Sequence, residues 1–314
     1  MSKAFLITSI SVHGRRYIYS PAEIIGEGSS SIAFRAYLLD DSGSNRAKTI
    51  SSFKQEENSL LVIKRSKAAL PERKFSRIHH EAQLLQIVQE HPNFVRYVDH
   101  SGQSSSPYLI TQFVPQTLES LLSQEQLGQE KVWDYLQQIP LALEKFQDAG
   151  LAHCDLKCSN IGYDEKAREI KVLDFGSCLP YAHDKPTRIT RRRGCPYFPP
   201  EFEKGILTPT SDTYMAGKVL EWMLTGCSGK TVQDTLEYIE IAHPLTPPPS
   251  FEKVVHGMLH PDWKQRLPVP KLKAAIDQAW KEMHDQEYFQ PLEYGTIRID
   301  TGLSWLWESP TEMN

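Results

Sequence analysis

Between residues 153 and 176 the chain reads His153-Cys154-Asp155-Leu156-Lys157-Cys158-Ser159-Asn160, then a short intervening piece, then Asp174-Phe175-Gly176. No other stretch constrains the fold as strongly. One carboxylate, one ammonium and one carboxamide fall close together, and a second carboxylate follows about one hairpin later. The intervening residues, from Ile161-Gly162-Tyr163 through a charged turn to Ile170-Lys171-Val172-Leu173, predict two small strands. Such a hairpin would hang both loops over the same space. The set fits phosphoryl transfer, which needs a base for a hydroxyl, a cation for the moving phosphate and two oxygen ligands for Mg²⁺.

These residues resemble the two signature loops of eukaryotic-type protein kinases, His-Arg-Asp-Leu-Lys-x-x-Asn and Asp-Phe-Gly. The resemblance implies an α+β fold of two lobes: a small N-lobe β-sheet plus one helix, and a larger, mainly helical C-lobe. It covers about residues 20–280. It divides the chain into leader strands over 1–20, an N-lobe over 21–114 with an insertion at 40–59, a C-lobe over 115–280 and a C-terminal tail over 281–314. It also implies an ATP-dependent enzyme that phosphorylates protein substrates, with ATP and Mg²⁺ as cofactors and Mn²⁺ as an alternative metal.

Composition agrees with that frame. A chain of 314 residues suits two lobes around a cleft, and 40% hydrophobic with 24% charged residues supports a globular core. The net charge of −4 argues against a nucleic-acid binder that coats phosphates. No apolar run is long enough for a membrane span, and the first residues carry neither a secretory nor a lipidation signal. The five cysteines show no pairing pattern. They fit a reducing compartment: the cytoplasm, or a host cytosol were the chain a delivered effector. Cys154 and Cys158 lack the second Cys/His pair that a zinc site needs.

Upstream, Ile24 to Ala36 places two apolar runs around a Gly/Ser turn, which reads as a hairpin able to close backbone N–H groups on phosphate oxygens. By the resemblance, Gly26 and Gly28 take the first two positions of a Gly-rich loop, Ser31 the third, and Ser29 lies between. Leu60 to Lys64 reads as a strand ending on a lysine, followed by a helix over Arg77 to Gln89 that carries Glu81. The resemblance pairs Lys64 with Glu81 and puts Lys64 on the α/β-phosphates. It also sets Ala33 and Val62 over the adenine. The family mostly has Val and Ala there, so the two changes conserve volume. Phe94 to Val98 and Tyr108 to Val114 read as strands, the second stopped by Pro115. The match makes Thr111 the gatekeeper residue and gives Gln112 and Val114 the hinge contacts with adenine.

Leu118, Leu121 and Leu122 predict a short helix, and Val132 to Asp148 has apolar residues near a 3.6 period. Gly150 ends that helix. The segment after Gly176 closes with Gly194-Cys195-Pro196-Tyr197-Phe198-Pro199-Pro200-Glu201, which resembles an activation segment ending in Ala-Pro-Glu. Ser211 or Asp212 is a natural N-cap for the following apolar helix. In the family, an Asp here instead braces the catalytic loop, and Asp212 is the candidate. Arg266 matches the arginine that pairs with the terminal Glu, here Glu201.

The roles implied are Asp155 as the group that orients the hydroxyl and accepts its proton, Lys157 on the γ-phosphate, and Asn160 and Asp174 as metal ligands. Lysine two residues after the catalytic Asp points to Ser/Thr substrates. Cys154 stands where the family mostly has Arg, which grips an activation-segment phosphate. A thiol makes no such contact, so activity without that phosphorylation is expected. The plain reading of Arg191 to Arg193 is that they simply face solvent. A kinase-like scaffold that acts by binding is the alternative, as is a small-molecule kinase. In the tail, Tyr294, Trp305 and Trp307 either pack back on the body or bind a partner.

Overall fold

The structure is a computed structural model that describes residues 8–28, 31–39, 60–67, 72–88, 90–101, 107–124, 129–182, 185–225, 249–285, 297–300 and 304–307. Ser29, the 40–59 insertion, Cys227 and Tyr294 lie outside the described residues. The chain divides into two compact units, Met1–Glu90 with Val95–Phe113, and His91–Phe94 with Val114–Asn314.

The first unit is an antiparallel sheet with one helix. Its strands are β1 (Thr8–Val12), β2 (Arg15–Glu27), β3 (Ser31–Leu39), β4 (Leu60–Ser66), β5 (Tyr97–His100) and β6 (Tyr108–Gln112), in the order β1-β2-β3-β4-β6-β5. Successive side chains of a strand point to opposite faces. Leu61 and Ile63 of β4 therefore join Tyr17, Tyr19, Phe34, Ala36 and Ile110 in a buried cluster. Val62 and Lys64 take the other face. Pairing sets Ala33 beside Lys64 and Thr111 beside Val62, so these four share that face. Helix α1 (Glu72–Val88) begins five residues before the expected Arg77 and buries Ile78, Ala82, Leu85 and Val88. The sheet is curled: Tyr108 Oη donates to the Ser11 carbonyl at 3.4 Å, and His13 Nδ1 lies 2.7 Å from Asp99 Oδ1. The first hairpin thus reaches the strands at the far edge.

The strand expected from Phe94 starts only at Tyr97. Phe94 belongs to the second unit, where it bridges Val172 in parallel. Its ring packs 4.9 Å from Phe146 and 5.6 Å from Phe175, a distant aromatic cluster that overrides the local strand pattern.

The second unit is mainly helical. Helix α2 (Leu118–Ser123) starts at a capping box between Thr117 and Ser120. Helix α3 (Gln129–Asp148) buries Val132, Tyr135, Leu136, Ile139, Leu143 and Phe146. The short strand β7 (Gln116–Thr117) precedes α2, and the short strand β8 (Leu151–Ala152) follows α3. Strands β9 (Ile161–Asp164) and β10 (Glu169–Val172) form the expected hairpin, with Ile161 opposite Val172. Gly162 is required there: a Cβ would lie 2.6 Å from Val114 Cγ1. Strand β11 (Leu179–Pro180) pairs with β8, and β12 (Thr187–Arg188) with β13 (Ile206–Leu207). Helix α4 (Pro200–Glu203) lies between β12 and β13 in sequence. Helices α5 (Ser211–Thr225), α6 (Pro249–Leu259) and α7 (Val269–Asp285) complete the helical body. In the tail, β14 (Ile297–Asp300) and β15 (Ser304–Trp307) pair antiparallel.

The expected cap of α5 is corrected. The helix already includes Ser211, and the Tyr214 amide donates to the Thr210 carbonyl at 3.2 Å, so the cap falls at Thr210. Ser211 Oγ instead donates to Glu201 Oε1 at 2.8 Å, and Asp212 is engaged by the catalytic loop. Longer-range partners have claimed both polar side chains.

Candidate active site

In the first unit the polar pair lies on the face opposite the core. Lys64 Nζ donates to both Glu81 oxygens, at 2.8 and 2.9 Å. Glu81 is buried, and the Lys64 side chain keeps 18% of its surface in solvent. The turn of the β2–β3 hairpin is closed by the Gly28 amide donating to the Ser31 carbonyl at 2.9 Å. Gly26 pairs with Ala33. At the end of β6, the Gln112 N–H donates to the Arg96 carbonyl at 2.9 Å. Val114 lies in the second unit, against Gly162.

In the second unit the loop after β8 folds around Asp155. Lys157 Nζ donates to Asp155 Oδ2 at 3.1 Å. Asn160 Nδ2 donates to the Asp155 carbonyl at 2.8 Å and to Oδ2 at 3.0 Å. With both amide protons so directed, Asn160 Oδ1 is the atom suited to a cation. Asp174 has a left-handed backbone with φ 57° and is exposed, and its Oδ1 accepts from the Gly176 amide at 3.2 Å. The β9–β10 hairpin joins the two loops, and the Leu173 amide donates to the Asn160 carbonyl at 2.9 Å.

Apolar packing holds these loops from beneath. The His153 ring lies 5.6 Å from Phe146 and 5.8 Å from Phe175, and Phe146 and Phe175 are 5.4 Å apart. His153 Nδ1 accepts from the Asp155 amide at 3.2 Å, so Nε2 carries the proton and donates to the Leu173 carbonyl at 3.0 Å. One imidazole thereby ties the Asp155 loop to the Asp174 loop.

Buried charge adds to the brace. Asp212 accepts from the His153 amide at 2.6 Å and the Cys154 amide at 2.9 Å. Burial pushes the Asp212 carboxyl up, while His153, those amides and Arg192 draw it down. Burial also raises the Cys154 thiol, with Asp212 adding to the rise, and lifts the Cys158 thiol to about 12. Neither thiol is ionised near neutral pH. Glu201 and Arg266 meet in two parallel bonds of 2.6 and 2.8 Å, with Arg266 only 3% exposed.

One residue escapes sequence reasoning. Arg192 does not face solvent with its neighbours: its Nη1 donates to the Cys154 carbonyl at 2.7 Å. Three arginines in a row carry no periodicity that marks one of them as turned inward.

Residues 19–280 match the family model described as protein kinase domain. The chain belongs to the protein kinase family. Its fold is the two-lobed α+β kinase fold, and protein kinase domains in general use ATP and Mg²⁺ and act on proteins. The chain is 29% identical over 189 residues to serine/threonine-protein kinase RUNKEL of Arabidopsis thaliana, covering 56% of this chain and 14% of that protein. It is 29% identical over 222 residues to serine/threonine-protein kinase pkn3 of Myxococcus xanthus, covering 67% and 38%. Human hormonally up-regulated neu tumor-associated kinase matches at 28% over 187 residues, covering 57% and 25%. The chain spans well under half the length of these relatives. Among the described residues, no helix is long and apolar enough to cross a membrane.

Proposed function

We propose that this kinase transfers the γ-phosphate of ATP to Ser/Thr hydroxyls of proteins without phosphorylation of its own activation segment. The carrying observation is the Asp155 constellation, a carboxylate held by Lys157 and Asn160, with the Asp155 amide on the His153 ring and the two preceding amides on Asp212. Asp155 orients the acceptor hydroxyl and takes its proton. Lys157, beside it, offsets charge on the transferred group, and Lys64 holds the α/β-phosphates. By the family resemblance, the Gly-rich hairpin that carries Gly26 and Gly28 is the element that would lie over the phosphates.

The donor set fits Mg²⁺. Among the described residues no cluster of three His, Cys, Asp or Glu exists, yet Mg²⁺ takes one or two protein oxygens plus substrate phosphates. Asn160 Oδ1 and the Asp174 carboxylate are the hard oxygen ligands for it. When bound, the metal neutralises charge on the phosphates.

Two observations favour protein over small-molecule substrates and independence from phosphorylation. The segment ends at Glu201 locked to Arg266, as a protein-substrate platform requires. Cys154 is buried and offers no cation to a phosphate. The four described cysteines are free thiols, in keeping with a reducing compartment.

The test is transfer from γ-labelled ATP with Mg²⁺ to dephosphorylated casein, followed by identification of the modified residues. Label on Ser and Thr is expected. Phosphatase pretreatment, or the Thr187→Ala, Thr190→Ala double variant, should leave the rate within about twofold. A loss beyond about tenfold would remove the phosphorylation-independence. Absent transfer with retained ATP binding would make the chain a scaffold.

A further inference from the structure

Arg192 touches three separate pieces of the second unit. Its Nη1 donates to the Cys154 carbonyl at 2.7 Å, in the catalytic loop, and its Nη2 to the Ser177 carbonyl at 3.5 Å, just past Asp174-Phe175-Gly176. Its guanidinium lies 5.7 Å from the centroid of the Phe202 ring on α4. Arg191 and Arg193 on either side are exposed.

The backbone that presents this side chain is itself anchored. The Arg192 N–H donates to the Phe202 carbonyl and the Ile189 N–H to the Gly205 carbonyl, both at 3.0 Å, continuing the pairing of β12 with β13. Gly205, at φ 70°, permits the approach: a Cβ would lie 2.8 Å from the Ile189 carbonyl oxygen. Helix α4 is fixed in turn by Glu201 on the buried Arg266. A line of contacts therefore runs from Arg266 through α4 to Arg192 and into the catalytic loop.

The point where it ends is strained. Cys154 has φ 62°, a left-handed conformation that a residue with a side chain holds only when its surroundings over-determine it. Asp212 grips the Cys154 amide from one side, and Arg192 grips its carbonyl from the other. The next residue is Asp155. Two opposite charges bracket one residue by gripping the peptide units on either side of it, and the second of these leads directly into Asp155.

We propose that Arg192 is a positioning residue that supplies, from within the activation segment, the cationic link between that segment and the catalytic and metal loops that Cys154 does not provide. The link needs no phosphate, because backbone carbonyls serve as the acceptors. This rests on the kinase reading above and names the device behind its phosphorylation-independence. Charged donors on well-placed carbonyls are among the stronger hydrogen bonds.

The test uses the full chain and three variants: Arg192→Met, Arg192→Lys and, as a surface control, Arg193→Met. Two readouts are taken: steady-state transfer from ATP to casein, and amide hydrogen exchange over 152–156 and 176–182, which needs no activity. Arg192→Met should lower kcat about ten- to hundredfold with the KM for ATP within about twofold, and should speed exchange in both segments. Arg192→Lys, which reaches one carbonyl and keeps the charge, should recover part of both. Arg193→Met should match the parent. The inference is overturned if Arg192→Met keeps kcat within about twofold, whatever its exchange, or if kcat falls with exchange unchanged. Should Arg192→Met fail to fold, Arg192→Lys decides: parental kcat and exchange together overturn it. A parent chain that transfers no phosphate defeats the kinase reading instead, and exchange alone then judges whether Arg192 holds the loops.

Discussion

Among the described residues, each unit has a cation gripped by both oxygens of a buried glutamate: Lys64 with Glu81 in the first, Arg266 with Glu201 in the second. What differs is the cation's surroundings. Arg266 has a side chain 0% exposed. Besides Glu201, its N–H groups reach the carbonyls of His260, Pro261 and Thr210, and its guanidinium sits 4.7 Å from the Tyr214 ring centroid. Glu201 also accepts from Ser211 and Thr208. Lys64, by contrast, keeps 18% of its side chain in solvent on the sheet face shared with Ala33, Val62 and Thr111. A closed pair fixes structure. A pair open at its cation can still receive an anion, as a phosphate-binding lysine must.

The contrast breaks most visibly through Arg266→Met. It leaves Glu201 buried without its partner, and unfolding by denaturant should show a loss of about 3–5 kcal/mol. A loss below about 1 kcal/mol would mean that the pair is not closed. Lys64→Arg probes the other pair, because it keeps charge and partner but replaces a compact ammonium with a planar fork. Stability should stay within about 1 kcal/mol of the parent, while transfer from ATP falls about a hundredfold. Equal activity in that variant would strip Lys64 of its phosphate role.

The smallest effect reports how closed the second unit's interior is. Cys158, its thiol raised to about 12 by burial, holds roughly one thiolate in ten thousand at pH 8, rising about tenfold per pH unit. Cys195, only half-buried, should therefore react with iodoacetamide well before Cys158 in the folded chain, as read by peptide mass spectrometry. Labelling of Cys158 at a similar rate would show that the loop opens.

What was legible in the sequence and what was not divide along physical lines. The catalytic and metal loops are contiguous runs whose residue types declare their chemistry, and the hairpin between them follows from two apolar runs around a charged turn. Lys64 and Glu81 sit on a strand and a helix whose patterns are local, but their pairing came from the family resemblance, and β4 runs past Lys64 to Ser66. Features that depend on distant partners were hidden. Phe94 leaves its expected strand for rings contributed by Phe146 and Phe175. Ser211 lies inside the helix and its hydroxyl goes to Glu201, ten residues back in the chain, instead of capping. Arg192 turns inward only because β12 pairs with β13 and aims it at Cys154. None of these three follows from a period or a motif.

Asp155 carries the central claim, and its conservative replacement tests it most directly. With ATP and Mg²⁺ saturating, Asp155→Asn should transfer phosphate to casein about a hundred- to ten-thousandfold more slowly than the parent, with ATP affinity within about threefold. Transfer at more than about a tenth of the parental rate would contradict the account, because a carboxamide cannot take up the hydroxyl proton.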